Sequence, residues 1–326
     1  MIQNRKVVVV VLCAVVLLVY LIVVTIWEIQ HINLTWKARQ NFQGSMAWQS
    51  RNLTDILRPD VRTCIVCPKV PDVCQDDRAK ETIIYFVVSS PKNRKERDAI
   101  RSTWAQQADP RPFFITGIVQ DRQVMSLLRR EAKKFQDIVI EDFMDTYLNL
   151  TVKTGFILKN FLNICPDAKY LVKCDDDVFV NPTVVDAVTS EVTSELRKPL
   201  IGLKFEHGAV QRRPSSKYYM PPWMYDQPYF PSYFSGLGYL LPGESVARIL
   251  TESFKVPLIN NEDAFFTGII ANERLNMTLQ SRSEHFKLHK SRIDSCLYKK
   301  VAMIHGFSAK DLRRVWRRIR SKDCNS

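Results

Sequence analysis

The strongest constraint in the sequence is an alternation running from about residue 82 to residue 174. Ile83-Ile84-Tyr85-Phe86-Val87-Val88 and Phe113-Phe114-Ile115-Thr116-Gly117-Ile118-Val119 are near-continuous apolar runs, the pattern of strands buried on both faces. Ile138-Val139-Ile140 and Tyr170-Leu171-Val172-Lys173-Cys174 continue the series. Stretches of helical composition, Lys95 to Trp104, Val124 to Phe135 and Val152 to Leu162, fall between them. This βαβα order predicts an α/β domain whose mainly parallel central sheet is covered by helices. Such sheets bind ligands beyond the carboxyl ends of their strands, so the residues after Cys174 are the first candidates for a site.

Composition narrows the class of protein. The 326 residues include 47 Lys+Arg against 34 Asp+Glu, a net charge of +13, with 46% hydrophobic residues, which excludes disordered and collagen-like chains. The basic excess alone is compatible with nucleic acid, an acidic membrane surface or a phosphate-bearing substrate. Val7 to Trp27 bears on that choice. It is a run of about 21 residues whose only polar side chains are Tyr20 and Thr25, and a helix of that length reaches about 31 Å, enough to span a bilayer. The run is longer than the apolar region of a cleavable secretory signal and offers no small-x-small cleavage pair. Arg5 and Lys6 precede it and Glu28 follows, which orients the N-terminus toward the cytosol. The expected organisation is a cytosolic tail (1–6), a transmembrane signal anchor (7–27), a lumenal stem without sustained periodicity (28–80) and one globular domain (81–326). A lumenal domain meets no nucleic acid.

Other features fit the lumenal side. The glycosylation sequons at Asn33, Asn52, Asn149 and Asn276 all follow the anchor, whereas Pro182 disqualifies Asn181. Seven of the eight cysteines also follow it and would meet an oxidising compartment. Their odd number leaves either one free thiol or one pairing between chains, so a homodimer is open. Cys64-x-x-Cys67 lacks a second Cys/His pair at metal spacing, which argues against zinc.

Candidate chemistry begins at Asp175-Asp176-Asp177. Three adjacent carboxylates repel one another unless a cation or several donors sit among them, and strand alternation turns Asp175 and Asp177 to one side, an arrangement suited to a hard divalent ion. A solvated acidic turn would read the same way. Glu262-Asp263 opens a helix-like segment, where acids are favoured by the helix dipole whether they are catalytic or simply capping. His305 ends the apolar run Val301 to Ile304, as a core residue or a ligand. Lys217 to Trp223 and Tyr229 to Tyr239 concentrate aromatics and prolines that suit either sugar rings or a buried loop.

Together these segments resemble a known family. Arg97-Asp98-Ala99-Ile100-Arg101-Ser102-Thr103-Trp104, Glu141 to Tyr147 running into Asn149-Leu150-Thr151-Val152-Lys153-Thr154, the Asp triplet with Val178-Phe179-Val180-Asn181, Ser235-Gly236-Leu237-Gly238-Tyr239, and Glu262-Asp263 are similar to the ordered blocks of the β-1,3-galactosyltransferase and β-1,3-N-acetylglucosaminyltransferase family, which includes fringe and brainiac. The resemblance covers about Thr82 to the C-terminus. It implies a GT-A-like catalytic domain in a single-pass type II Golgi membrane protein that moves galactose or GlcNAc from UDP-galactose or UDP-GlcNAc to a glycoprotein or glycolipid acceptor, with inversion and dependence on Mn²⁺.

Residue by residue, the resemblance implies Asp263 as catalytic base, Asp175, Asp177 and His305 as metal ligands, and Arg97, Arg101, Asp175 and Asp176 as donor contacts. It leaves Tyr219, Trp223, Tyr233, Gly236 and Glu262 as the acceptor platform. The alternative is a catalytically silent, membrane-anchored sugar-binding or chaperone-like protein of the same fold. Three departures from the family pattern stand out. The segment after Glu262-Asp263 has one residue more before Gly268 than the common form, Cys174 precedes the triplet, and Phe234 precedes Ser235. Near the C-terminus, Leu312, Val315, Trp316 and Ile319 predict a helix that packs one stripe and solvates an arginine-rich face.

Overall fold

The computed structural model describes residues 13, 15–27, 52–59, 61, 63–192, 198–290 and 295–321, without the side chains of 295–297. Residues 15–27 of the expected anchor are helical and nearly all exposed. No helix among the described residues is long and apolar enough to cross a membrane. The tail, the first part of the anchor and residues 28–51, Asn33 included, lie outside the described residues.

After a short helix α1 (Leu53–Leu57) and strand β1 (Cys64–Val66), the expected alternation appears: β2 (Ile83–Val88), α2 (Arg94–Arg101), β3 (Phe113–Ile118), α3 (Arg122–Phe135), β4 (Ile138–Met144), α4 (Leu150–Ile164) and β5 (Tyr170–Asp175). β6 (Val178–Val180) and α5 (Pro182–Glu191) follow, then β7 (Leu200–Phe205), β8 (Tyr233–Pro242), α6 (Gly243–Ser253), a π-helix (Ala264–Arg274), β9 (Leu279–Ser281), β10 (Phe286–Lys287), β11 (Met303–His305) and α7 (Ala309–Ile319). Eight strands form one sheet in the order β1-β4-β3-β2-β5-β8-β7-β9. β4, β3, β2 and β5 run parallel, and β8 turns against β5. Alternation along β2 sends Ile84 and Phe86 into one core with Phe156 and Phe161 of α4, and Ile83, Tyr85 and Val87 into a second with Ile100, Trp104, Leu312 and Trp316.

Two features place the site. β5 ends in the Asp triplet at its carboxyl end, where the chain turns into β6. β6 belongs to a second, three-stranded sheet, β10-β11-β6, whose antiparallel register sets His305 opposite Val178. A pairing of only three residues on each side therefore brings a histidine from the far end of the chain to the triplet.

The stem boundary needs correction: the domain begins near Asn52, not at 81. Leu53 and Leu57 of α1 are fully buried against α4, where Gly155 leaves room for them, since a Cβ there would lie 3.0 Å from a Leu57 methyl. β1 pairs antiparallel with β4, extending the sheet. The buried Lys159 ammonium donates to the carbonyls of Leu57 at 2.6 Å and Arg58 at 2.9 Å, and a disulfide joins Cys74 to Cys165. A five-residue helix and a three-residue strand are too short to leave a periodic signal. Cys64 and Cys67 form a second disulfide, and the thiol of Cys174 is free.

The extra residue before Gly268 falls inside the π-helix. A helix closed by i→i+5 bonds holds more residues per turn, so the insertion is absorbed without displacing the acids in front of it. α7 buries Leu312, Trp316 and Ile319 and turns Arg314, Arg317, Arg318 and Arg320 outward, the packed stripe and solvated face expected. A chain trimmed to start at residue 81 is expected to fail to fold, while one starting at residue 50 gives a cooperative melt; circular dichroism of the two secreted chains checks this.

Candidate active site

The first layer around the triplet is electrostatic. Asp176 accepts from Ser89 Oγ at 2.7 Å and from Asn93 Nδ2 at 2.9 Å, both in the turn between β2 and α2. Burial dominates its titration and pushes the carboxyl up to about 6. Asp177 Oδ2 lies 3.2 Å from His305 Nε2, and this hydrogen bond raises the affinity of the histidine for a proton. His305 Nδ1 sits 3.3 Å from the Leu288 carbonyl, which orients the ring.

The second layer was not foreseen from the sequence. Lys173, on β5 two residues before Asp175, is buried, and its ammonium donates to Gly236 O at 2.9 Å, Glu262 Oε2 at 3.0 Å and Asp175 Oδ1 at 3.2 Å. Burial alone would push this amine down. Asp175 and Glu262, with Asp263 beyond them, outweigh it and keep the ammonium charged. Tyr239 of β8 donates to the other oxygen of Glu262. A lysine in the middle of a wholly apolar strand run was the signal available in the sequence.

Glu262 is therefore corrected from acceptor platform to framework: it is 6% exposed and saturated by Lys173 and Tyr239. Asp263 beside it is half-buried and accepts from the Ala264 amide at 3.0 Å. Burial first, and the neighbouring Glu262 charge second, push its carboxyl up to about 7. Gly236 faces it so closely that a Cβ there would stand 3.1 Å from Asp263 Oδ2. Gly236 is thus a clearance position.

Arg97 and Arg101 are also corrected. Arg97 is 0% exposed and its guanidinium is used up by Glu131 (2.9 and 2.8 Å), Ser89 Oγ (3.0 Å) and the Ser90 and Pro91 carbonyls (2.6 and 3.3 Å), leaving nothing for a nucleotide. It positions the turn that holds Asp176. Arg101 is clamped by Asp137, Glu131 and Asp98 and lines a cavity of about 540 Å³ with Phe113 and Phe135, at the amino end of β3 and away from the triplet. Lys153 of α4 completes the support, donating to Ser89 O at 2.9 Å and to Asp145 Oδ1 at 2.8 Å, while Asp145 Oδ2 accepts from the Gly117 amide at 2.8 Å.

Of the aromatic candidates, Trp223 is exposed, whereas Tyr219 and Tyr233 are half-buried and packed against the core. Tyr233 meets Phe205 and Phe230 edge-on. Besides Trp223, the exposed rings of the region are Tyr218, Tyr229 and Tyr147. Two of the sequence departures are packing choices. Cys174 is buried and burial holds its thiol protonated, and Phe234 lies over Gly202, where a Cβ would come within 2.8 Å of the ring. Among the sequons, Asn276 is exposed at a positive-φ turn and Asn52 caps α1. Asn149 is corrected: it is 2% exposed and its amide nitrogen donates to Met144 O at 2.8 Å, so the folded domain does not present it for glycosylation.

The family described as Galactosyltransferase matches residues 95–280, more than half of the chain. The chain belongs to this family. Lactosylceramide 1,3-N-acetyl-beta-D-glucosaminyltransferase A of Xenopus laevis is 30% identical over 72% of this chain and 65% of its own length, so the chain spans less than two thirds of that relative. Beta-1,3-galactosyltransferase 1 of Mus musculus is 28% identical over 76% of this chain and 78% of its own. UDP-GalNAc:beta-1,3-N-acetylgalactosaminyltransferase 1 of Mus spicilegus is 31% identical over 74% and 76%. Among solved structures, the WbbM bifunctional glycosyltransferase covers 74% of the chain at 11% identity with a TM-score of 0.39, too loose a likeness to argue from.

Replacing Glu131 with Ala leaves two buried guanidiniums facing each other without their shared carboxylate, and is expected to cost about 3–5 kcal/mol of stability in a urea titration.

Proposed function

We propose that the protein is an inverting β-1,3-glycosyltransferase that uses a UDP-sugar, with galactose or an N-acetylhexosamine as the transferred group and a glycoprotein or glycolipid sugar hydroxyl as acceptor. The observation that supports this best is the lysine frame: one ammonium joins Asp175 of the triplet to Glu262 beside Asp263, so the donor end and the base are held by the same group. A membrane-anchored, lumenal, Golgi setting is favoured by the apolar run at Val7 to Trp27 and by disulfides that require an oxidising compartment.

The residues at the triplet suit a divalent ion. Asp177 offers a hard oxygen, His305 a neutral imidazole nitrogen and Asp175 a second carboxylate nearby, a donor set compatible with Mn²⁺. Among the described residues no three ligating side chains converge on a point, so a nucleotide diphosphate would have to supply further oxygens. Asp177 and His305 would hold such an ion, which would supply Lewis-acid neutralisation of the charge on a diphosphate leaving group.

The remaining chemistry belongs to the chain. Asp263 takes the proton from the acceptor hydroxyl as that oxygen attacks the anomeric carbon from the face opposite UDP. A carboxyl held near pH 7 has more basicity than a free aspartate, and its burial beside Glu262 is what confers it. Asp176, fixed by Ser89 and Asn93, holds the turn of the triplet in place; a nucleotide amide or ribose hydroxyl could pair with its exposed edge.

Three outcomes test this reading. Asp263→Asn should lower kcat by about 10²–10⁴-fold with little change in donor KM, measured as UDP release. The acceptor kcat/KM of the wild type should rise with pH up to about 7 and then level, because the base must be ionised and its pKa is raised; Asp263→Asn should lose that limb. Thorough chelation should abolish turnover and Mn²⁺ restore it, in a screen of UDP-galactose, UDP-GlcNAc and UDP-GalNAc that also identifies the donor.

A further inference from the structure

Tyr147 and Tyr218 stand out among the exposed rings, which also include Trp223 and Tyr229, because they meet each other beneath one lysine. They are 46% and 56% exposed, although each lies in a segment otherwise tied to the core. Their rings meet edge-on with centroids 6.5 Å apart, and the Lys217 ammonium sits 4.7 Å over Tyr218 and 5.9 Å from the Tyr147 ring. The edge-to-face contact and the cation over Tyr218 fix the orientation of the pair, and its exposure leaves the remaining ring surface open to solvent.

The segments carrying these rings are fastened to the residues just before Asp263. Tyr147 lies in the turn that enters α4, and Thr151 Oγ1 in the first turn of that helix donates to Ile259 O at 2.7 Å. Tyr218 precedes Tyr219, whose carbonyl accepts from Asn260 Nδ2 at 2.9 Å. Ile259 and Asn260 therefore act as a common post, with Tyr147 on one side, Tyr218 on the other and Asp263 three residues further on. From Gly208 to Tyr225 the chain carries no acid that would repel the oxygens of a sugar, and of its basic residues Arg212 is used by the Met220 and Gln227 carbonyls. The Tyr147 hydroxyl is also pushed up, first by its partial burial and then by Tyr218 and Asp263, which agrees with the base lying within electrostatic reach of the pair.

We propose that Tyr147, Tyr218 and Lys217 form the acceptor subsite, an open clamp in which a pyranose ring lays its C–H face on tyrosine while Lys217 donates to a ring substituent and the attacking hydroxyl points to Asp263. This rests on the glycosyltransferase reading above and shifts the sequence expectation, which chose Tyr219, Trp223 and Tyr233 with Gly236 and Glu262. Tyr219 and Tyr233 are half-buried against the core and Trp223 is exposed, and the clamp uses the exposed pair Tyr147 and Tyr218.

The test is steady-state kinetics of the purified full chain with p-nitrophenyl β-galactoside and p-nitrophenyl β-N-acetylglucosaminide as acceptor probes. Three readouts are needed: acceptor KM, donor KM and the slow hydrolysis of the UDP-sugar without acceptor. Tyr218→Ala and Tyr147→Ala should each raise acceptor KM about five- to tenfold, the loss of a ring contact of roughly 1 kcal/mol, and leave donor KM and hydrolysis within twofold. Tyr218→Trp should keep acceptor KM near the wild-type value, because the subsite needs a ring face rather than the hydroxyl. Unchanged acceptor KM in both alanine variants, or an equal rise in donor KM, overturns the clamp. If the wild type turns over no donor at all, the enzyme reading falls and takes the clamp with it, whereas wild-type turnover with indifferent alanine variants defeats the clamp alone.

Discussion

A buried ammonium without enough negative charge around it would lose its proton, and a cluster of buried carboxylates without a cation would take protons up. Lys173 resolves both problems in one place. It sits on the central strand, where the sheet fixes its backbone on both sides, and reaches Asp175, Glu262 and the Gly236 carbonyl. Three segments distant in sequence are thus held at one point: the triplet, the Ser235-Gly236 stretch of β8 and the Glu262-Asp263 start of the π-helix. The negative charge in this group exceeds what one lysine neutralises. Burial first, and this surplus through Glu262 second, make Asp263 a stronger base than a free aspartate.

A similar economy governs the turn after β2. Ser89 accepts from Arg97 and donates to Asp176, and its carbonyl accepts from Lys153. Arg97 and Lys153 come from helices on opposite faces of the sheet. The turn is therefore pinned from both layers, and through Ser89 and Asn93 it fixes Asp176 of the triplet. Arg97 has no donor to spare and Lys153 is buried between Ser89 and Asp145, so their role is to position rather than to bind.

Much of this was legible in the sequence, and the parts that were not share a cause. The four apolar runs mark where the parallel strands begin, and three of them also mark the ends to within a residue, whereas β4 continues four residues beyond Ile140 into Glu141-Asp142-Phe143-Met144. Asp177 and His305 do meet, although more than a hundred residues separate them, and only the β6–β11 pairing brings that about. The resemblance implies a nucleotide contact at Arg97 and an acceptor contact at Glu262, but a sequence does not show burial, and both side chains are buried and used by neighbours. Lys173 is one basic residue among 47 in the sequence, and only the fold sets it among the acids. The stem hid a real helix and strand because short elements carry no period. One departure acquires its meaning only in the fold: the additional residue before Gly268 lies within a π-helix, a distortion that tends to occur at functional sites.

The central claim is a single displacement in which Asp263 activates the acceptor on the face opposite the departing UDP. Proton NMR of the anomeric signal in the first product formed from an α-linked UDP-sugar tests it most directly. The account predicts a β-linked product from the earliest time point. An α-linked product would mean retention, and with it a mechanism in which Asp263 is not the base described here.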